Sequence, residues 1–209
     1  MSTLLPTSIP VFPLAGALVF PRSSLPLHIF EPRYRTMIKD ALVGPRLIGM
    51  VQPRADADAP ELYSVGGLGR ISRCEETDDG RFLITLSGIN RFRIDHEIEG
   101  AAPYRQALVS YDEFLADSLS AEPLSATLRA ALESDLRDFL DDKGLSADWS
   151  AIEASDDETL VNTLATVCPF APVEKQALLE ARDVRARAEL LVQLMRFAIG
   201  ADMKTTILQ

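Results

Sequence analysis

The spacing of apolar and polar residues changes rhythm near residue 111. Before that point the apolar runs are short and punctuated by Gly and Pro: residues 9–12, 17–20, 25–30, 47–51, 62–65, 68–74, 82–86, 92–98 and 107–111. Such punctuation predicts the strands of a barrel-like or sandwich β fold. Asp79-Gly80, between the runs 71–74 and 82–86, is the strongest hairpin signal, because it supplies the positive φ angles of a tight turn. One helix interrupts this half. Glu31 stands at its mouth and Pro32 fits its first turn, where a missing N–H costs nothing. Tyr34, Met37, Ile38, Ala41 and Leu42 then recur at helical spacing until Gly44-Pro45.

After residue 111 the period becomes helical. Leu128, Ala131, Leu132, Leu136, Phe139 and Leu140 form one apolar stripe over residues 125–140, which Gly144 ends. Ser155 with Glu158 makes a capping-box pattern for a second helix that buries Leu160, Leu164 and Val167 and stops at Pro169. Residues 172–181 predict a third helix. Residues 183–199 predict a last one, whose Leu190, Leu191, Leu194, Met195, Phe197 and Ala198 require cover. The boundary between halves falls within residues 112–122, and the halves are expected to pack together, since short helices must bury their apolar stripes.

Charge sharpens the division. Residues 1–111 hold 12 basic and 12 acidic side chains, whereas residues 112–160 hold 3 basic and 14 acidic. The chain as a whole carries a formal charge of -10, a field that repels phosphate backbones and argues against broad nucleic-acid binding. An acidic helix face is ordinarily solvated; the functional alternative is a docking surface for a basic partner. Two cysteines in unrelated contexts and two histidines indicate neither a zinc site nor a disulfide framework, and suit a reducing cytoplasm. Pro6, Pro10 and Pro13 break the apolar N-terminus, no basic n-region precedes it, and no apolar run has the length of a membrane span.

Chemistry is sparse. Gly66-Gly67-Leu68-Gly69 lacks phosphate-loop spacing and precedes strand-like residues, so a bulge or close backbone approach is expected there. His28 and His96 have no nucleophile motif beside them, Cys74 lies on a strand, and Glu75, Glu76, Asp78 and Asp79 crowd a turn without calcium-loop spacing. No catalytic residue, metal ligand or cofactor is therefore assigned. The first half has 11 arginines and a single lysine. Arginine favours fixed bidentate contacts. Its simplest role here is internal, a bridge from Glu31 to an arginine that locks helix to barrel. The functional alternative places Arg33, Tyr34, Arg91 and Phe92 on a ligand-facing surface.

The run LPLHIFEPRYRTM (residues 25–37) resembles the opening signature of the Lon protease N-terminal domain family. Three further segments carry the likeness: IPVFPLAGALVFP before it, LYSVGGLGRISRCEETDDGRFLITLSGINRFRI after it, and EKQALLEARDVRARAELLVQL in the helical half. The likeness spans about residues 8–200. It implies an α+β chain: a PUA-like pseudo-β-barrel with one inserted helix (8–115), then a C-terminal helical bundle (116–203), together forming one Lon N-terminal-type domain. The sequence holds no Gly-x-x-x-x-Gly-Lys-Ser/Thr loop, so the expectation is a stand-alone, non-enzymatic, cytoplasmic recognition module without the ATPase and peptidase parts. Its expected partner is an unfolded polypeptide or a specific protein, held in an apolar groove between barrel and bundle. Phe20, Phe30, Arg33, Tyr34, Arg91 and Phe92 are the candidate binding residues. The alternative is an RNA-binding PUA-like protein, and the apolar last helix leaves a weak homodimer open.

Overall fold

The computed structural model describes residues 5–54, 61–100 and 102–206, with the backbone alone described over 200–206. The chain divides into two compact units, Met1–Ser120 and Ala121–Gln209.

The first unit is built on six strands: β1 (Ser8–Pro13), β2 (Ser24–Ile29), β3 (Leu47–Val51), β4 (Val65–Glu76), β5 (Phe82–Ile98) and β6 (Gln106–Ser110). Their order is β2-β5-β4-β3-β1-β6, and a further pairing of β5 with β6 closes the sheet on itself. Closure removes the exposed edges that an open sheet leaves. Strand β2 stays outside the ring and, among the described residues, pairs only with β5, from Ser24↔Ser87 to Ile29↔Phe82. The predicted runs 82–86 and 92–98 are thus one strand. It changes partners along its length, helped by register shifts between Leu68 and Gly69 and between Ile94 and His96.

Residues 17–20 depart from expectation, since they form no strand although Leu18, Val19 and Phe20 are buried. The segment lies against the sheet where Gly67 and Gly88 have no side chain. A Cβ on Gly67 would collide with the Val19 carbonyl, and one on Gly88 with that of Phe20. Gly88 instead exchanges hydrogen bonds with the chain beyond, donating to the Ser23 carbonyl (2.9 Å) and accepting from the Arg22 N–H (2.9 Å). The glycine run thus permits a close backbone approach. The β4–β5 turn also differs from a two-residue hairpin. Gly80 donates to the Thr77 carbonyl, and Gly80 alone of the Asp-Gly pair has positive φ (+75°).

Helix α1 (Pro32–Val43) follows its predicted bounds and buries Tyr34, Met37, Ile38 and Ala41 against Phe12, Ile29, Phe82 and Ile84. After β6, a 3-10 helix at Asp112–Ser118 lies where the sequence predicts no element. It is clamped to β5. Asn90 donates to the Phe114 carbonyl, and Arg93 grips Glu113 through Nε (2.5 Å) and Nη2 (2.6 Å).

The second unit holds α2 (Ala126–Asp142), α3 (Trp149–Ala154), α4 (Asp157–Val167), α5 (Pro172–Glu180) and α6 (Val184–Thr206). Short polar side chains start three of them: Ser125, Asp148 and Asp156 each accept a backbone N–H of the first turn. The cap of α4 is Asp156, while Ser155 ends the unpredicted α3; and Val167 is 66% exposed, the buried stripe being Leu160, Val161 and Leu164. In α6, Leu191 and Met195 are buried, whereas Phe197 is 71% exposed. Arg187 ties three helices, donating to the Leu178 carbonyl (2.9 Å) and to Asn162 Oδ1 (2.7 Å).

Candidate functional site

The junction from β2 into α1 holds the signature residues 25–37. Strand alternation sends Leu25 and Ile29 inward and Ser24, Pro26 and His28 outward. Phe30 leaves the strand 57% exposed, and Pro32 opens α1 at its first turn. Helical spacing then turns Tyr34 inward, its ring centroid 4.2 Å from that of Phe12, and keeps Arg33 outward.

The six candidate binding residues therefore separate into two groups. Phe30 and Arg33 are exposed and lie three positions apart along the chain. Phe20 and Phe92 are fully buried, Tyr34 is 5% exposed and Arg91 is 2% exposed. These four face the interior of the first unit. Arg91 wraps the Asp117 carboxylate, with Nε to Oδ2 at 2.9 Å and Nη2 to Oδ1 at 2.8 Å, and its backbone N–H also donates to Oδ2 (2.9 Å). Its guanidinium lies 4.7 Å from the Phe114 ring centroid. Arg91 and Phe92 thus anchor the 3-10 helix and the core and offer no stacking platform to a nucleic acid. Among the described residues, the helix-to-barrel bridge expected at Glu31 does not form. Glu31 pairs with Arg33 two residues on, at 2.9 Å and in solvent, so the pair stays local to the α1 entrance.

Around Phe30 the sheet presents a mixed face that sequence reading did not assign. Two rows cross β2, β5 and β4: His28, Leu83 and Glu75, then Pro26, Thr85 and Arg73. They line a shallow depression of about 470 Å³. Leu83 is 44% exposed, and the His28 ring centroid lies 5.9 Å from that of Phe30. The available signal was the outward set of the 25–30 run, legible once one end of the strand is known to face inward.

The remaining candidate chemistry is structural. Cys74 is half-buried, and burial, with Glu76 adding to it, pushes its thiol above the usual range, opposite to what a nucleophile requires. Burial pushes the Cys168 thiol up to about 11. Asp79 at the acidic turn accepts from the Thr77 hydroxyl (2.6 Å), which lowers its carboxyl below the usual range. No group of His, Cys, Asp and Glu able to hold a metal ion occurs among the described residues. Nor, among them, is any helix long and apolar enough to cross a membrane.

Comparison with known proteins places this arrangement. A family model described as the ATP-dependent protease La (LON) substrate-binding domain matches residues 8–196. Lon protease 2 of Sorangium cellulosum is 30% identical over 199 residues, covering 90% of this chain and 24% of that protein. Lon protease 2 of Myxococcus xanthus is 27% identical over 91% of this chain and, again, 24% of its own length. The chain thus spans about a quarter of the relatives it matches. Two solved structures share the fold: a Lon N-terminal domain protein from Xanthomonas campestris (TM-score 0.61, 22% identity, 90% of this chain and 98% of that one) and the N-terminal domain of a Mycobacterium avium complex Lon protease (TM-score 0.64, 18% identity, with the same two coverages).

Proposed function

The chain belongs to the Lon substrate-binding domain family, and from that premise we propose that it is a non-catalytic module that recognises polypeptides through the exposed surface at the β2–α1 junction. The carrying observation is that an exposed aromatic and an exposed arginine, Phe30 and Arg33, both stand on the segment that bears the family signature. Aromatic and arginine side chains are the commonest anchors of protein recognition. Phe30 contributes non-directional apolar attraction, Leu83 extends it, and Arg33 supplies donors for carbonyls or carboxylates. A site of that kind tolerates varied sequences, as recognition of unfolded segments requires. We read the closed ring of the first unit as a PUA-like pseudobarrel that holds this surface rigid. The free thiols of Cys74 and Cys168 suit a cytoplasmic setting.

The test uses reduced, carboxymethylated α-lactalbumin as an unfolded probe, followed by fluorescence anisotropy. The parent chain is expected to bind it, and Phe30→Ala with Arg33→Ala to bind about tenfold more weakly. Both side chains are exposed, so the circular dichroism spectrum should be unchanged. Absence of binding by the parent chain overturns the reading.

A further inference from the structure

Strand β2 is the end of the sheet order, and no described strand lies along its far side. The phase of its ladder follows from one hydrogen bond. The Ser23 carbonyl accepts from Gly88 on β5, so the Ser24 N–H, in the same peptide plane, points away from β5. Alternation then sends the N–H and C=O of Leu25, Leu27 and Ile29 toward β5, and those of Ser24, Pro26 and His28 toward the free side. That side offers donors at Ser24 and His28 and acceptors at Ser24, Pro26 and His28. A row of this kind is completed by another backbone.

The side chains agree with the backbone. Ser24, Pro26 and His28 are exposed, and the depression formed with Leu83, Thr85 and Arg73 opens on the same face. Phe30 continues the apolar surface from His28. Pro26 has two consequences. Its missing N–H falls on the free side, where a proline leaves the β2–β5 ladder intact. It also selects the occupant. A second copy docking antiparallel about Pro26 would oppose two prolines, and that central pair would form no hydrogen bond. A foreign strand with an N–H there still donates to the Pro26 carbonyl.

We infer that the free edge of β2 is a strand-addition site, at which an extended polypeptide with alternating apolar side chains pairs backbone to backbone with Ser24, Pro26 and His28 while its side chains lie beside Pro26, His28 and Phe30. The inference rests on the polypeptide-recognition reading and specifies its mode. Affinity from main-chain bonds and selectivity from alternate pockets is how strand addition works in general.

The probe is a short capped peptide of alternating valine and threonine, N-methylated at every second residue so that it keeps one hydrogen-bonding edge and cannot aggregate. It should bind and protect the Ser24 and His28 amides from hydrogen exchange. The same peptide N-methylated at every residue should not bind. Pro26→Ala restores a donor to the free side and should tighten binding about fivefold, one net hydrogen bond. His28→Pro removes a donor and should weaken binding by about the same factor, whereas His28→Ala keeps the backbone donor and tests the ring separately. Should His28→Pro misfold, Pro26→Ala and the exchange data decide. Equal binding of the fully methylated peptide, or no effect of Pro26→Ala, overturns strand addition. If unfolded α-lactalbumin still binds in that case, polypeptide recognition stands and the edge is not its site. If neither probe binds, both readings fall.

Discussion

At the scale of single residues, the strongest commitment in the chain is the buried pair of Arg91 and Asp117, whose side chains are 3% and 8% exposed. Its bidentate geometry satisfies both partners, and Arg22 adds a bond to the Asp117 carbonyl at 2.8 Å. Removing one partner strands the other charge away from water. Asp117→Ala is therefore expected to cost about 3–5 kcal/mol. The double substitution Arg91→Met with Asp117→Leu should cost clearly less than the sum of the two single changes. Denaturant unfolding of the three variants checks this; strict additivity would show that the two side chains act independently. Tyr111 offers a pH test. Its hydroxyl donates to the Pro6 carbonyl (2.8 Å), and burial pushes it from 10.0 up to about 12. Below pH 10 the phenol is neutral in both folded and unfolded chains. Between pH 10 and 12 the unfolded chain ionises first, so this group makes stability fall as pH rises. Tyr111→Phe should be less stable than the parent at neutral pH by about 1 kcal/mol, and the gap should narrow from pH 10 to 12 in urea midpoints.

At the scale of elements, the helix caps show what a sequence discloses and what it hides. Ser155 and Asp156 are both good caps, and Glu158 favours Ser155 on pattern. The structure gives the role to Asp156, whose carboxylate accepts from the Thr159 N–H (2.9 Å) and hydroxyl (2.7 Å) and is held below the usual carboxylate range by those bonds. Ser155 instead donates to the Ala151 carbonyl (2.7 Å), because the preceding residues already form α3. Asp156→Ala should cost about 1 kcal/mol and Ser155→Ala a few tenths, measured by thermal unfolding; the reverse order would move the helix start. Periodicity fixed α1 closely, since its stripe meets one core and Pro32 and Gly44-Pro45 bracket it. It took residues 17–20 for a strand, whereas their apolar side chains are buried by crossing two glycines rather than by pairing. It missed the 3-10 helix, whose hold on β5 consists of long-range bonds from Asn90, Arg91 and Arg93. The candidate site was legible in part for the same reason. The signature located the β2–α1 junction and helical spacing put Tyr34 on a buried stripe, but which of the candidate aromatics face outward depends on burial, and Phe20 and Phe92 look no different from Phe30 in sequence.

At the scale of the whole molecule, the formal charge of -10 acts over distances that the local site does not control. Two exposed ion pairs flank β2, Glu31 with Arg33 at the α1 entrance and Glu75 with Arg73 on β4. Each pair is neutral as a unit, and exposed pairs of this kind contribute little. The approach of a charged chain is instead governed by the field of the whole protein, which salt screens within about 10 Å at ~0.1 M. Two alternating peptides with identical valines, one with lysine and one with glutamate between them, should therefore dissociate at similar rates but associate differently. The lysine peptide should associate faster at ~50 mM salt and slow as salt rises to ~500 mM, while the glutamate peptide should speed up, the two converging at high salt. Stopped-flow mixing measures both rates. Rates that stay apart at high salt would place a specific charge contact at the site itself, and the balanced ion pairs around β2 would then have to open to make it.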